Sequence, residues 1–183
     1  MPRYISILRG INVSGHRMIK MNALKELCSS LGFQNVQTYI QSGNIVYQHK
    51  EGSTNELSHT LKTAIEQSFG FDVPVITFTL DELTKIVNAN PFLKDSSNQA
   101  EYFHVTFLSG KPEDSAFEEI KVGDYKNDKL ELIGEAMYLY CPDSYSNSKL
   151  TNSFFEKKLK VSATTRNWKT TNELLRIANS ITV

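Results

Sequence analysis

Short apolar runs alternate along the chain with longer stretches in which apolar residues recur every three or four positions. The short runs, typical of strands, are residues 4–8, 36–40, 45–48 and 73–78. The helical spacing occupies residues 21–31, a stretch from the Ser53 capping box to Gly70, and residues 81–89. Pro74 indicates that the fourth strand lies at a sheet edge. The order predicts a βαββαβ unit followed by a short extra helix.

The second half of the chain repeats this scheme. Strands are predicted at residues 102–108, 129–133, 136–141 and 161–165, and helices at residues 112–120, 150–159 and 172–180. Residues 43–47 resemble 134–138, and residues 82–88 resemble 173–179 at the same spacing along the chain, which favours duplication. We therefore predict an α+β chain of two tandem ferredoxin-like (α-β plait) units, each followed by an extra helix. The units are residues 1–92 and 100–183, joined by a polar linker at residues 93–99.

Composition narrows the classes of function. Hydrophobic residues make up 40% of the 183 residues, which is enough to bury a core. Lys+Arg and Asp+Glu number 20 each, and this zero net charge argues against nucleic acid as the main partner. The two cysteines suggest no disulfide framework, and no signal peptide or membrane span is evident. We expect a cytoplasmic protein without a membrane partner.

The predicted topology brings two polar segments together. In a βαββαβ sheet the first and second strands are parallel, and the third lies antiparallel between them. The loop after the first strand and the turn between the second and third should therefore be neighbours, close to the start of the first helix. The candidate ligand-binding residues on these segments are Arg9, Asn12, Ser14, His16, Arg17, Gln41, Ser42 and Asn44.

The charge pattern suggests an anionic ligand at this edge. Residues 1–25 contain five basic side chains and no acidic one, and helix N-termini also attract anions. A second acid-free basic run contains the cluster Arg166, Asn167 and Trp168. Each of these residues could instead have a structural role, since polar side chains shape loops and a single tryptophan often anchors a core.

Enzyme and metal signatures are absent from the sequence. It contains no dinucleotide fingerprint, phosphate loop, zinc-protease motif or nucleophile elbow. His16, His49, His59 and His104 have no metal-ligand spacing, and Cys28 falls on the apolar face of its helix. We expect no cofactor and no metal, and the sequence leans against an enzyme.

Several of these segments carry a family resemblance. Residues 8–13 (LRGINV), 38–44 (TYIQSGN) and 165–168 (TRNW), with Gly32-Phe33 and Asn90-Pro91, resemble a family of bacterial proteins catalogued as domain of unknown function 1697. The resemblance implies the tandem ferredoxin-like fold and no established activity. The family often has a glycine-rich stretch after the first motif, and here residues 13–16 keep one glycine of it.

Three functions follow as alternatives. The first is a module that binds a small anionic or nucleotide-like ligand at the edge formed by the Arg9–Arg17 loop and the Gln41–Asn44 turn. The second is protein–protein interaction or self-association, including a homodimer, through an open sheet face lined by residues such as Tyr138 and Tyr140. The third is RNA binding or an enzymatic role, and both are disfavoured because the strands lack the aromatic RNA-recognition pattern and no catalytic motif is present.

Overall fold

The computed structural model describes residues 1–182, which form two compact units. The first unit contains residues 1–85 together with the C-terminal stretch that begins at Glu173. The second unit contains residues 86–172. The division into units at residues 1–92 and 100–183, joined by a linker at residues 93–99, stays a prediction.

The first unit is built on one antiparallel sheet. Its elements are β1 (Arg3–Leu8), α1 (Met21–Ser30), β2 (Gln34–Tyr39), β3 (Asn44–Gln48), α2 (Thr54–Phe69), β4 (Val75–Thr79) and the beginning of α3 (Leu80–Asn88). The strand order is β2-β3-β1-β4. β3 therefore lies between β1 and β2, and β4 occupies the edge that Pro74 indicates.

Local sequence signals determine where α2 begins and ends. The Ser53 side chain accepts a hydrogen bond from the Glu56 backbone N–H, and the Glu56 carboxylate accepts one from the Ser53 backbone N–H at 3.1 Å. This arrangement is a capping box, as predicted. At the other end Gly70 adopts the left-handed conformation, with φ of 75°, and its N–H bonds to the Glu66 carbonyl.

Both faces of the first sheet are buried. On one face Leu8, Ile45 and Tyr47 form a core with residues of α1 and α2 such as Leu24 and Leu61. On the other face the buried residues are Ile5, Ile7, Val46, Ile76 and Phe78. At this second face Arg3 and Gln48, which lie opposite each other in β1 and β3, donate to the carbonyls of Ala178 and Thr182. The C-terminal stretch therefore packs within the first unit.

The second unit repeats the order of elements. It contains β5 (Phe103–Leu108), α4 (Asp114–Lys121), β6 (Lys129–Ile133), β7 (Ala136–Tyr140), α5 (Asn152–Leu159), β8 (Ala163–Asn167) and the beginning of α6 (Trp168–Ser180), with short 3-10 helices at Pro91–Lys94, Ala100–Tyr102 and Tyr145–Asn147. The strand order, β6-β7-β5-β8, matches that of the first sheet. Residues 1–182 thus form an α+β structure with two four-stranded antiparallel sheets and six α-helices.

The second sheet does not present the open face that the sequence suggested. Leu108, Met137 and Leu139 pack against α4 and α5 on one side. On the other side Tyr138 is only 1% exposed, and its hydroxyl donates to the Ile86 carbonyl at 2.7 Å. Tyr140 is half-buried, and its ring contacts Phe92 and Phe103. These two tyrosines are therefore not available as an open docking face, while self-association itself stays a prediction.

In residues 1–182 neither a helix suited to cross a membrane nor a group of metal ligands is found. None of the helices in this range is both long enough and apolar enough to cross a membrane. No three His, Cys, Asp or Glu side chains in the same range are grouped so that they could hold a metal ion. Both cysteines are buried with free thiols, and burial raises the pKa of each to about 12.

The paired hairpin glycines, Gly43 before β3 and Gly134 before β7, allow a matched test of the fold. Both have positive φ, 86° and 61°, so a Cβ strains the backbone at either position. A Cβ at Gly43 would also lie 2.7 Å from Leu8 Cβ, whereas a Cβ at Gly134 meets nothing within 4 Å.

We therefore predict that Gly43→Ala lowers the free energy of unfolding by about 2 kcal/mol or more, and Gly134→Ala by about 1 kcal/mol. Urea denaturation of the two variants measures both values. Equal losses would contradict the close packing of the first hairpin against Leu8.

Candidate functional site

The loop after β1 and the turn between β2 and β3 lie side by side, as the topology predicted. The Leu8 N–H donates to the Gly43 carbonyl at 2.8 Å, which brings the end of β1 to the turn. The next residue, Arg9, donates its N–H to the Pro74 carbonyl at 3.0 Å. Three segments distant in the chain therefore meet at one end of the first sheet.

The side chain of Asn12 joins the loop to the turn. Its Nδ2 donates to the carbonyls of Gln41 at 2.8 Å and Ile19 at 2.9 Å. Its Oδ1 accepts from the Ile19 N–H at 2.8 Å. One amide group thus fixes both ends of the loop and the neighbouring turn, and this role occupies its hydrogen-bonding groups. Asn12 therefore holds the loop and the turn together, while a direct contact of Asn12 with a ligand stays a prediction.

Asn44 has a comparable role inside the turn. It is fully buried, and its Nδ2 donates to the Tyr39 carbonyl at 2.9 Å and to Ser42 Oγ at 3.0 Å. Ser42 is half-buried beside it. Of the predicted ligand-binding residues, Asn12, Ser42 and Asn44 hold the loop and the turn in place, and their contact with a ligand stays a prediction.

The exposed candidates are Ser14, His16, Arg17 and Gln41. The Arg17 guanidinium folds back over Gly10, where an added Cβ would lie 3.5 Å from its Nη1. Arg17 therefore lies close to Gly10, which follows the half-buried Arg9 in the chain. Lys20, also exposed, precedes the first turn of α1, which has no acidic residue and no side-chain cap. The surface of the site is basic.

The backbone of the site is unusual. Four non-glycine residues at this edge, Asn12, Ser14, Arg17 and Ile40, have φ between 48° and 55°. Asparagine adopts this conformation readily, but a β-branched residue such as Ile40 rarely does. The strain is maintained by the surrounding hydrogen bonds, and strained backbone of this kind clusters at functional sites.

Sequence reasoning missed the apolar component of the site. Three large apolar side chains in this region are exposed to solvent: Val13 by 56%, Met18 by 60% and Ile40 by 48%. They flank the polar residues of the loop and the turn. The available signal was the occurrence of large apolar residues inside a loop and a turn that are otherwise polar. The edge therefore combines positive charge with accessible apolar side chains.

The second candidate cluster has structural roles. Asn167 Oδ1 accepts from the Thr170 N–H at 2.8 Å and caps the start of α6. The half-buried Trp168 ring packs edge-on against Phe103, with centroids 6.0 Å apart. Arg166 donates from Nη1 to the Thr165 carbonyl at 3.0 Å, and burial lowers the pKa of its guanidinium to about 10. A ligand role for this cluster stays a prediction.

The bridging role of Asn12 generates a stability prediction. Asn12→Ala leaves the Gln41 and Ile19 carbonyls and the Ile19 N–H without this partner, and we expect a loss of about 1–3 kcal/mol in the free energy of unfolding. Asn22→Ala, at an exposed position early in α1, should change stability by less than about 0.5 kcal/mol. Thermal denaturation of both variants measures the difference, and similar melting temperatures would contradict the bridge.

Comparisons with known proteins show the family and the fold of the chain. The family model described as "Protein of unknown function (DUF1697)" matches residues 1–138. The chain is also similar to the solved structure of the conserved bacterial protein SP0830 from Streptococcus pneumoniae. The two chains are 22% identical with a TM-score of 0.72, over 97% of this chain and 98% of the other, which shows a shared fold. No curated protein matches the sequence. With three quarters of its length matched by the family model, the chain belongs to the DUF1697 family.

Proposed function

We propose that the protein is a cytoplasmic module that binds a small anionic, nucleotide-like ligand at the end of the first sheet. The observation that carries the proposal is the hydrogen bond from Asn12 Nδ2 to the Gln41 carbonyl. It brings the exposed Arg17 and Gln41 to one edge, in a segment of 25 residues that contains no carboxylate side chain. Guanidinium groups and free helix amides recognise phosphate and carboxylate groups.

The apolar side chains favour a ligand with a flat, uncharged part. Val13, Met18 and Ile40 are too exposed to serve the core, and they flank the basic residues. A nucleobase or similar ring can pack against aliphatic side chains while its phosphate meets Arg17. A bare inorganic anion would leave this apolar surface in water, so a nucleotide-like ligand fits the edge better.

The proposal includes the finer fold class, two tandem ferredoxin-like units. Each unit follows the order βαββαβ, and each sheet has its first and third strands in the centre. The two hairpin glycines and the two following helices, α3 and α6, also occupy corresponding places. Duplication of one ancestral unit accounts for all three correspondences.

A thermal-shift screen tests whether a ligand exists. The panel contains pyrophosphate, nucleoside mono- and diphosphates and small dicarboxylic acids. A ligand at 100 times its dissociation constant raises the free energy of unfolding by about 2.7 kcal/mol. We expect nucleoside phosphates to raise the melting temperature more than pyrophosphate does, and a panel without any shift would contradict the proposal.

Arg17→Ala tests the charge of the site, with Lys50→Ala as its matched control. Both remove one exposed positive charge, but Lys50 follows β3 at the opposite end from the turn. Because a hydrogen bond to a charged group contributes about 1.5–3 kcal/mol, Arg17→Ala should weaken binding about tenfold to a hundredfold. Isothermal titration of each variant with the nucleoside phosphate measures this, and equal effects of the two substitutions would rule out a specific contact.

Met18→Gln tests the apolar component. Leu93→Gln, at a side chain of similar exposure in the second unit, is the control. We expect Met18→Gln to weaken binding of the nucleoside phosphate and to leave pyrophosphate binding unchanged, since pyrophosphate has no apolar part. The same titrations measure both ligands. If both weaken alike, Met18 acts on the shape of the loop and the nucleotide assignment is wrong.

A further inference from the structure

A cleft lies in the second unit, next to the end of β7. Its volume is about 480 Å³, and its walls include Glu101, Tyr102, His104, Asp143 and Tyr145. Glu101 and Tyr102 belong to the short 3-10 helix before β5, and His104 is on β5 itself. Asp143 and Tyr145 follow β7. The cleft is therefore built from two segments that hydrogen bond to each other, with the Cys141 N–H donating to the Tyr102 carbonyl at 3.0 Å.

Aromatic rings form a large part of the wall. The His104 and Tyr145 rings are stacked with centroids 4.6 Å apart. The Tyr102 ring packs edge-on against Tyr140, with centroids 6.2 Å apart. The Lys129 ammonium lies 5.3 Å from the centre of that same Tyr140 ring. The Tyr140 ring, which contacts Tyr102 but does not line the cleft, thus attracts one cation of the protein through its negative face.

Within residues 1–182, the side chains that line the cleft include acidic ones and no basic lysine or arginine. Glu101 and Asp143 contribute carboxylates, and the described residues that line the cleft contain no lysine or arginine. Asn127 Nδ2 donates to Asp143 Oδ2 at 2.8 Å, which fixes that carboxylate in place. Burial lowers the pKa of His104 below its ordinary value, which disfavours the charged form of the imidazole. Nothing in the lining therefore opposes a positive ligand.

We propose that this cleft binds a small organic cation, such as an alkylammonium group. Aromatic faces combined with carboxylates are the surroundings that recognise such ions, because the ring quadrupole and the carboxylate charge both attract a cation. The cleft volume falls in the range of small-molecule sites. The inference is independent of the anionic site, which lies in the other unit, so either can fail without the other.

Choline and its uncharged isostere 3,3-dimethylbutan-1-ol provide the test. The full chain, labelled with ¹⁵N, is titrated with each compound while two-dimensional amide spectra are recorded. We expect choline to shift the amides of residues 101–104 and 141–145, and to bind about tenfold more tightly than the isostere. Glu101→Gln should weaken choline binding, and Tyr145→Leu should do the same, while the amide spectrum reports that each variant is folded.

Glu131→Gln is the matched control. Glu131 is an exposed acid on β6 whose register partner, Tyr138, faces away from the side of the sheet that carries His104. This substitution should leave choline binding unchanged. Three results would overturn the proposal: no choline-dependent shifts at the cleft, equal binding of choline and the isostere, or equal weakening by the substitutions at Glu101 and Glu131.

Discussion

The position of β3 between β1 and β2 is the constraint on which the rest of the first unit depends. Because β3 runs antiparallel to both neighbours, the end of β1 and the turn before β3 must lie at the same end of the sheet. The Asn12 amide then converts this proximity into a fixed geometry by bonding the turn and both ends of the loop. A basic, partly apolar surface results from segments that are distant in the chain; Arg17 and Ile40, for example, are 23 positions apart.

Maintaining this edge has a conformational cost. Several residues at it occupy the left-handed region, and Ile40 does so despite its branched side chain and its exposure to water. Neither the left-handed backbone of Ile40 nor its exposed side chain adds buried apolar surface to the core. An edge that combines backbone strain, exposed apolar side chains and several basic residues supports the ligand site that we propose.

The strands with apolar alternation, and the capping box of α2, could be predicted from the sequence because each depends on neighbouring residues alone. The start of α6 could not. The last residues of β8 are Thr165, Arg166 and Asn167, and they lack apolar alternation. The sequence therefore predicted that the strand ends at residue 165, whereas it ends at Asn167. Because Asn167 caps α6, this helix begins four residues before the predicted position.

The candidate site also combines features that the sequence predicts with features that it does not predict. Topology was sufficient to predict which segments meet, but not which side chains remain available to a ligand. Asn12 and Asn44 have the chemistry of ligand contacts and are occupied by backbone carbonyls, whereas Val13, Met18 and Ile40 have the chemistry of a core and are exposed. Burial of the second face of each sheet also depends on long-range packing, which composition does not encode.

The central claim is that the loop and the turn act together as one binding surface. Titration of the ¹⁵N-labelled protein with a nucleoside diphosphate tests it most directly, since each backbone amide reports separately. The account predicts that amides of residues 10–19 and 40–43 shift together with a single dissociation constant. Shifts confined to one of the two segments, or none in either, would contradict it.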